Sequence, residues 1–92
     1  MYANFLLGSL SVTEAAQIKL GRTPMDLIAR HAVNDHGQIT ARENKRNQLS
    51  MKTTGEIISR YAIDPTDPAQ GSVLVITHET WVDTLVKLED EE

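Results

Sequence analysis

The chain has no cysteine. Disulfides, thiolate nucleophiles and cysteine-ligated zinc are therefore excluded, and the cytosol is the simplest compartment. No apolar run is long enough to cross a bilayer, so no membrane partner is expected. The Phe5-Leu6-Leu7 start lacks a basic n-region and a full apolar h-region, so it is not read as a signal peptide. Gly8, Gly21, Gly37, Gly55 and Gly71 stand singly and form no phosphate-cradling loop. No serine sits in a nucleophile elbow. No enzyme activity, cofactor or metal is expected from these patterns. Aromatic residues are few: one Trp, one Phe and two Tyr. Trp81 and Tyr61 are the largest rings; both suit a core, and Trp81 also suits an interface anchor.

The 92 residues make one small domain, 1–92. A domain of this size buries only about 60% of the surface of its unfolded chain. An enzyme-sized pocket would take much of that core, which favours a binding module. The net charge is −4, and it is unevenly laid out. Residues 19–60 hold eight of the nine basic residues and four acids, a balance of +4. Residues 61–92 hold eight acids against Lys87 alone, a balance of −7. An acidic tail, Glu89-Asp90-Glu91-Glu92, closes the chain.

Periodicity and capping predict an α+β domain. Residues 4–11 read as a short strand or extended lead-in. Thr13 caps a helix over Glu14–Leu20, with Ala15, Ile18 and Leu20 inward and Gly21 as the stop. Thr23 caps and Pro24 opens a second helix, whose apolar stripe is Met25, Leu27, Ile28 and Ala32. Thr40 and Glu43 form a capping box for a third, weakly amphipathic helix over Ala41–Met51, with Leu49 and Met51 as its apolar contacts. Glu56–Ile63 reads as a strand with Ile57, Ser59, Tyr61 and Ile63 on one face. A proline-containing turn follows. Ser72–Thr77 is a β-branched central strand, and Trp81–Leu88 is the last, with Val82, Thr84, Val86 and Leu88 on one face. The expected architecture is three helices on one face of a three-stranded antiparallel meander, with an added N-terminal strand left open. An exposed edge of such a meander invites a homodimer.

The densest chemistry lies at Arg30-His31-Ala32-Val33-Asn34-Asp35-His36-Gly37. His31 and Asp35 share a helical face if the helix continues, but the histidine spacing is i, i+5. No fourth ligand completes a zinc set. The structural reading has a charged His31 facing the last helix carbonyls and Asp35 accepting from Arg30 or a backbone N–H. Asn47, inside a helix where asparagine is unfavourable, is expected to hydrogen-bond a strand or loop across the core.

Arg30-His31-x3-Asp35-x-Gly37, then Glu43, Asn47, Ser59-x-Tyr61, Gly71, Ile76-Thr77, Thr84 and the acidic end resemble a family of small plasmid-related proteins. These are carried on plasmids and integrative elements of proteobacteria. The chain departs from that pattern at Asn34 (glycine in the family), His36 and Val75 (tryptophan) and His78 (glutamate). The resemblance implies a mobile-DNA setting and structural roles for Arg30, His31, Asp35, Gly37, Asn47, Ser59 and Tyr61. It implies no activity. Small acidic proteins of such elements are often inhibitors of host defences, of anti-restriction or anti-CRISPR type.

The charge layout can steer a partner and set its orientation. The expected function is therefore a protein-interaction module that meets a protein with a basic surface through Asp64, Asp67, Glu79, Trp81, Asp83, Glu89, Asp90 and Glu91. The alternative is a small DNA-binding accessory protein that contacts phosphates through Arg42, Lys45 and Arg46.

Overall fold

Capping side chains set two of the three helix starts. In the computed structural model, which describes residues 5–91, Thr13 accepts from Ala16 N and opens α1, Glu14–Leu20. Thr40 and Glu43 close the expected capping box at the start of α3, Ala41–Thr53. The helix α2, Met25–Ala32, differs: Pro24 takes the cap position, and no side chain caps it. Asn4 of the expected lead-in and Glu92 of the acidic tail lie outside the described residues.

The sheet has four strands: β1 Ser9–Val12, β2 Ile57–Ala62, β3 Ser72–Thr77 and β4 Asp83–Leu88. Their order across the sheet is β1-β4-β3-β2. β2, β3 and β4 form the antiparallel meander. The three-stranded expectation is corrected by β1, which pairs parallel to β4 with Ser9 opposite Asp83 and Val12 opposite Val86. The sheet is thus four-stranded and mixed. Gly8 makes the approach possible: it has φ +64, and a Cβ there would sit 2.2 Å from Val82 O.

Alternation along the strands defines one buried face. Ile57, Ser59, Tyr61, Val73, Val75, Thr77, Thr84 and Val86 all point into it. Leu27 and Ile28 of α2 join Tyr61, Val73, Val75 and Val86 in the core, with Leu7, Val12, Leu20, Ile63 and Leu88 packed against them. Several inward assignments are corrected. Ala16 is the buried residue of α1, while Ala15 is exposed and Ile18 is 73% exposed. Met25 faces solvent, and His31 takes an inward place on α2. Leu49 is 63% exposed, and Asn47 is the one buried residue of α3. Trp81 and Val82 precede β4 in place of opening it; Val82 is exposed.

α3 packs against β2 in place of covering the sheet. Asn47 Nδ2 donates to Ile58 O (2.8 Å), and Asn47 Oδ1 accepts from Ile58 N (3.0 Å). Beside it, Arg60 N donates to His36 O and Gln38 N donates to Arg60 O. The outer edge of β2 is therefore sealed by one amide side chain and the 36–38 turn. The other edge of the meander, on β4, is occupied by β1. The expectation of a free meander edge is corrected accordingly. Among the described residues, no helix is long and apolar enough to cross a membrane.

Candidate functional site: a polar hub between α2, β2 and β3

The residues singled out between positions 30 and 61 converge where α2 ends. Arg30 Nε donates to Asp35 Oδ2 at 2.7 Å, and its guanidinium lies 4.6 Å from the centroid of the Tyr61 ring. Tyr61 Oη donates to Asp35 O at 2.6 Å. Burial pushes the Tyr61 phenol up to about 12, so it stays a donor. Gly37, at φ +69, lies so close to β2 that a Cβ would meet Arg60 O at 2.2 Å. Any side chain at Gly37 would pry the turn off the strand.

His31 differs from its expected role. It is fully buried and does not face the helix carbonyls as a cation. Its Nδ1 lies 2.6 Å from Ser59 Oγ and its Nε2 2.9 Å from Thr77 Oγ1. The Phe5 ring meets it edge-on at 5.1 Å. Desolvation, assisted by nearby His36, pushes its pKa down to about 3. His31 is neutral at pH 7.

Hydrogen accounting fixes the tautomers along a continuous chain. The Leu7 carbonyl can only accept, so Thr84 Oγ1 donates to it at 2.7 Å. Thr84 must then accept from Thr77 Oγ1, 2.7 Å away. Thr77 accepts from His31 Nε2–H. His31 Nδ1 is therefore bare and accepts from the Ser59 hydroxyl. Ser59 Oγ accepts in turn from His36 Nδ1–H at 2.6 Å. His36 Nε2 is left bare, 3.2 Å from the Asn34 carboxamide. An amide oxygen at that place suits only a doubly protonated ring. Burial lowers the His36 pKa, and a neutral ring is matched by the opposite orientation of the Asn34 carboxamide, with its NH2 as the donor.

The polar groups of this chain are bonded to one another inside the protein. Ser59 is fully buried, and both imidazoles are spent on its one hydroxyl. No group of three or more His, Asp or Glu side chains among the described residues could hold a metal. Thr77 and Thr84 stand in the motif that resembles the plasmid-related proteins, but the sequence reading assigns them no part in the hub. Their signal was strand alternation, which places both hydroxyls on the inner face with Ser59.

The acidic residues divide between the two ends of the sheet. Asp64 and Asp67 lie in the β2–β3 turn; Glu89, Asp90 and Glu91 follow β4, and Glu89 N donates to Ser72 O at the start of β3. These five share one end. Glu79 and Asp83 lie at the β3–β4 turn, a strand length of about 17 Å away. The expected single acidic surface over 79–92 is corrected by that separation. Several of these carboxylates have local partners. Asp64 accepts from Thr66, Asp67 from Ala69 N, and Asp83 pairs with His78 at 3.0 Å. Glu91 accepts from Thr13 Oγ1 and Leu88 N. Arg60, flanked by Glu43 (2.7 Å) and Glu89 (2.6 Å), ties the acidic end to the start of α3. The Arg60 guanidinium holds the Glu43 carboxyl down to about 2.

Trp81 is half-buried and anchored. Its Nε1 donates to Gly55 O at 2.8 Å, and its ring lies 5.7 Å from Phe5. Arg42, Lys45 and Arg46 form no ion pair among the described residues and lie with Asn44, Gln48 and Leu49 on the exposed side of α3.

No family model, curated protein or solved structure matches this chain.

Proposed function

We propose that this chain is a non-enzymatic protein-interaction module of a bacterial mobile element. In this reading it inhibits a host defence system by occupying a basic protein surface. The mobile-element setting rests on the resemblance of the 30–84 motif to plasmid-related proteins. The observation that carries the docking role is the acidic end, where Asp64, Asp67, Glu89, Asp90 and Glu91 are brought together by the β2–β3 turn and the end of β4. Carboxylates so placed raise the encounter rate with a basic surface and orient the partner on arrival. The buried state of Ser59 and both hub histidines supports a non-catalytic role.

The test is a salt-titrated pulldown from host lysate, followed by binding of the captured protein to a Glu89→Gln/Asp90→Asn/Glu91→Gln variant. Affinity should fall by on the order of tenfold, mainly through a slower association rate. Circular dichroism checks that the variant folds. Unchanged affinity at low salt rejects the charge mechanism.

A second reading is favoured by the unpaired row Arg42, Lys45 and Arg46 beside Asn44 and Gln48. These residues suit phosphate contacts with amide side chains alongside. A gel shift at low salt, lost in Arg42→Ala/Lys45→Ala, would support it. Absence of any shift at micromolar protein removes it.

A further inference from the structure

The two edges of the sheet are treated differently. On β2, the outward N–H and C=O groups of Ile58 and Arg60 are all bonded, by Asn47 and the 36–38 turn. On β1, Ser9 N donates to Val82 O and Thr13 N to Val86 O. Odd-numbered residues thus turn their main-chain groups toward β4. Leu10 and Val12 turn theirs outward, and no partner meets them among the described residues. Natural edges are commonly blunted by lysine, proline or a bulge. The segment Ser9-Leu10-Ser11-Val12 has no charge and no proline, and Leu10 is 44% exposed.

We infer that β1 is the interface for a second copy of this chain, joined antiparallel about a twofold axis through Ser11. The register follows from which groups are free. With the axis at Ser11, Leu10 lies opposite Val12 of the second copy, and the two exchange both main-chain bonds. The twofold repeats this, so four hydrogen bonds form from four outward donors and four outward acceptors. Axes at Leu10 or Val12 would pair only one of the two residues with its counterpart. Charge agrees with the choice. Glu14 of one copy comes opposite Gly8 of the other, so no like charges face across the seam. Leu10 packs beside Val12 of the second copy, on the buried-face side of the joined sheet. The twofold makes the contact self-complementary, and the short seam puts it in the weak, transient class. This inference is independent of what the acidic end binds.

The absence of native cysteine makes a clean test. Across the axis the two Ser11 Cα atoms lie about 4.5 Å apart, as a non-hydrogen-bonded pair, at the short end of the disulfide range of about 4.4–6.8 Å. The two Ser9 residues lie four residues apart along the seam, about 13–14 Å. Under mild oxidation, Ser11→Cys should cross-link rapidly and in a concentration-dependent way, and Ser9→Cys should not. Adding Leu10→Lys to Ser11→Cys should slow cross-linking by on the order of tenfold. Sedimentation of the unmodified chain should show reversible dimer at high concentration. Equal cross-linking of Ser9→Cys and Ser11→Cys overturns the inference, as does a strictly monomeric chain over the whole concentration range. Circular dichroism of each variant confirms that the fold is intact.

Discussion

Taking the protein from pH 7 to pH 5 is expected to lower its unfolding free energy by about 2 kcal/mol through His31 alone. The sign follows from the two states. In the unfolded chain His31 titrates near its ordinary value of 6.5; in the fold its pKa is about 3. Above pH 6.5 the ring is neutral in both states and contributes no pH dependence. Between 6.5 and 3 the unfolded chain takes up a proton that the fold refuses, so stability falls with pH. The loss reaches about 4–5 kcal/mol by pH 3. His36, also lowered by burial, acts in the same direction. Carboxylates act later: Glu43, held down by Arg60, stabilises above its ordinary 4.5 and loses that contribution as pH falls toward about 2. Urea denaturation at pH 7 and pH 5 measures the effect. His31→Gln should be less stable at pH 7, because the buried chain loses an imidazole, and should show a much flatter pH response. An unaltered slope in that variant would refute the assignment of the acid sensitivity to His31.

The second large effect belongs to Asn47. Asn47→Ala leaves Ile58 N–H and C=O without their side-chain partners at the edge of β2. Each polar group so stranded costs about 1–3 kcal/mol, so a loss of roughly 2–4 kcal/mol is expected. The damage should be local first. α3 has no other buried side chain to hold it on the sheet, and Ile58 amide exchange should accelerate while Val75, in the interior strand β3, stays protected. Asn47→Asp should not rescue, since a carboxylate accepts from Ile58 N–H but repels Ile58 O. Retention of full stability and of Ile58 protection in Asn47→Ala would mean that α3 is held by something else.

Local chemistry was legible in the sequence wherever a signal lay within one turn or one strand. Thr40 with Glu43, Thr13 before Glu14, the alternation from Ile57 to Tyr61 and the run Ser72–Thr77 each carry their own reason. Asn47 was legible because an asparagine in mid-helix asks for a partner. What failed was placement that depends on distant elements. Parallel pairing of β1 leaves no trace in Ser9–Val12, since its partner β4 lies over seventy residues away. His31 was read by its place at a helix end, whereas hydroxyls on two strands draw it inside. The charge division read along the chain becomes a different pattern once a meander returns residues 83–88 across the molecule. The acidic end was therefore legible only in part, and the hub only as a list of residues whose connections, through Thr77 and Thr84, were not.

From His36 to the Leu7 carbonyl every hydrogen bond of the chain is donated in one direction, so each member must keep the donor or acceptor its neighbour needs. Replacing Ser59 by alanine strands two imidazoles, and replacing Thr77 by valine removes the only acceptor that fixes the His31 tautomer. Positions 31, 59, 77 and 84 should therefore co-vary during descent, and a homologue that has lost one of these four is expected to have traded the set for an aliphatic filling, while position 36 should admit any side chain whose N–H donates to Ser59, as a tryptophan does.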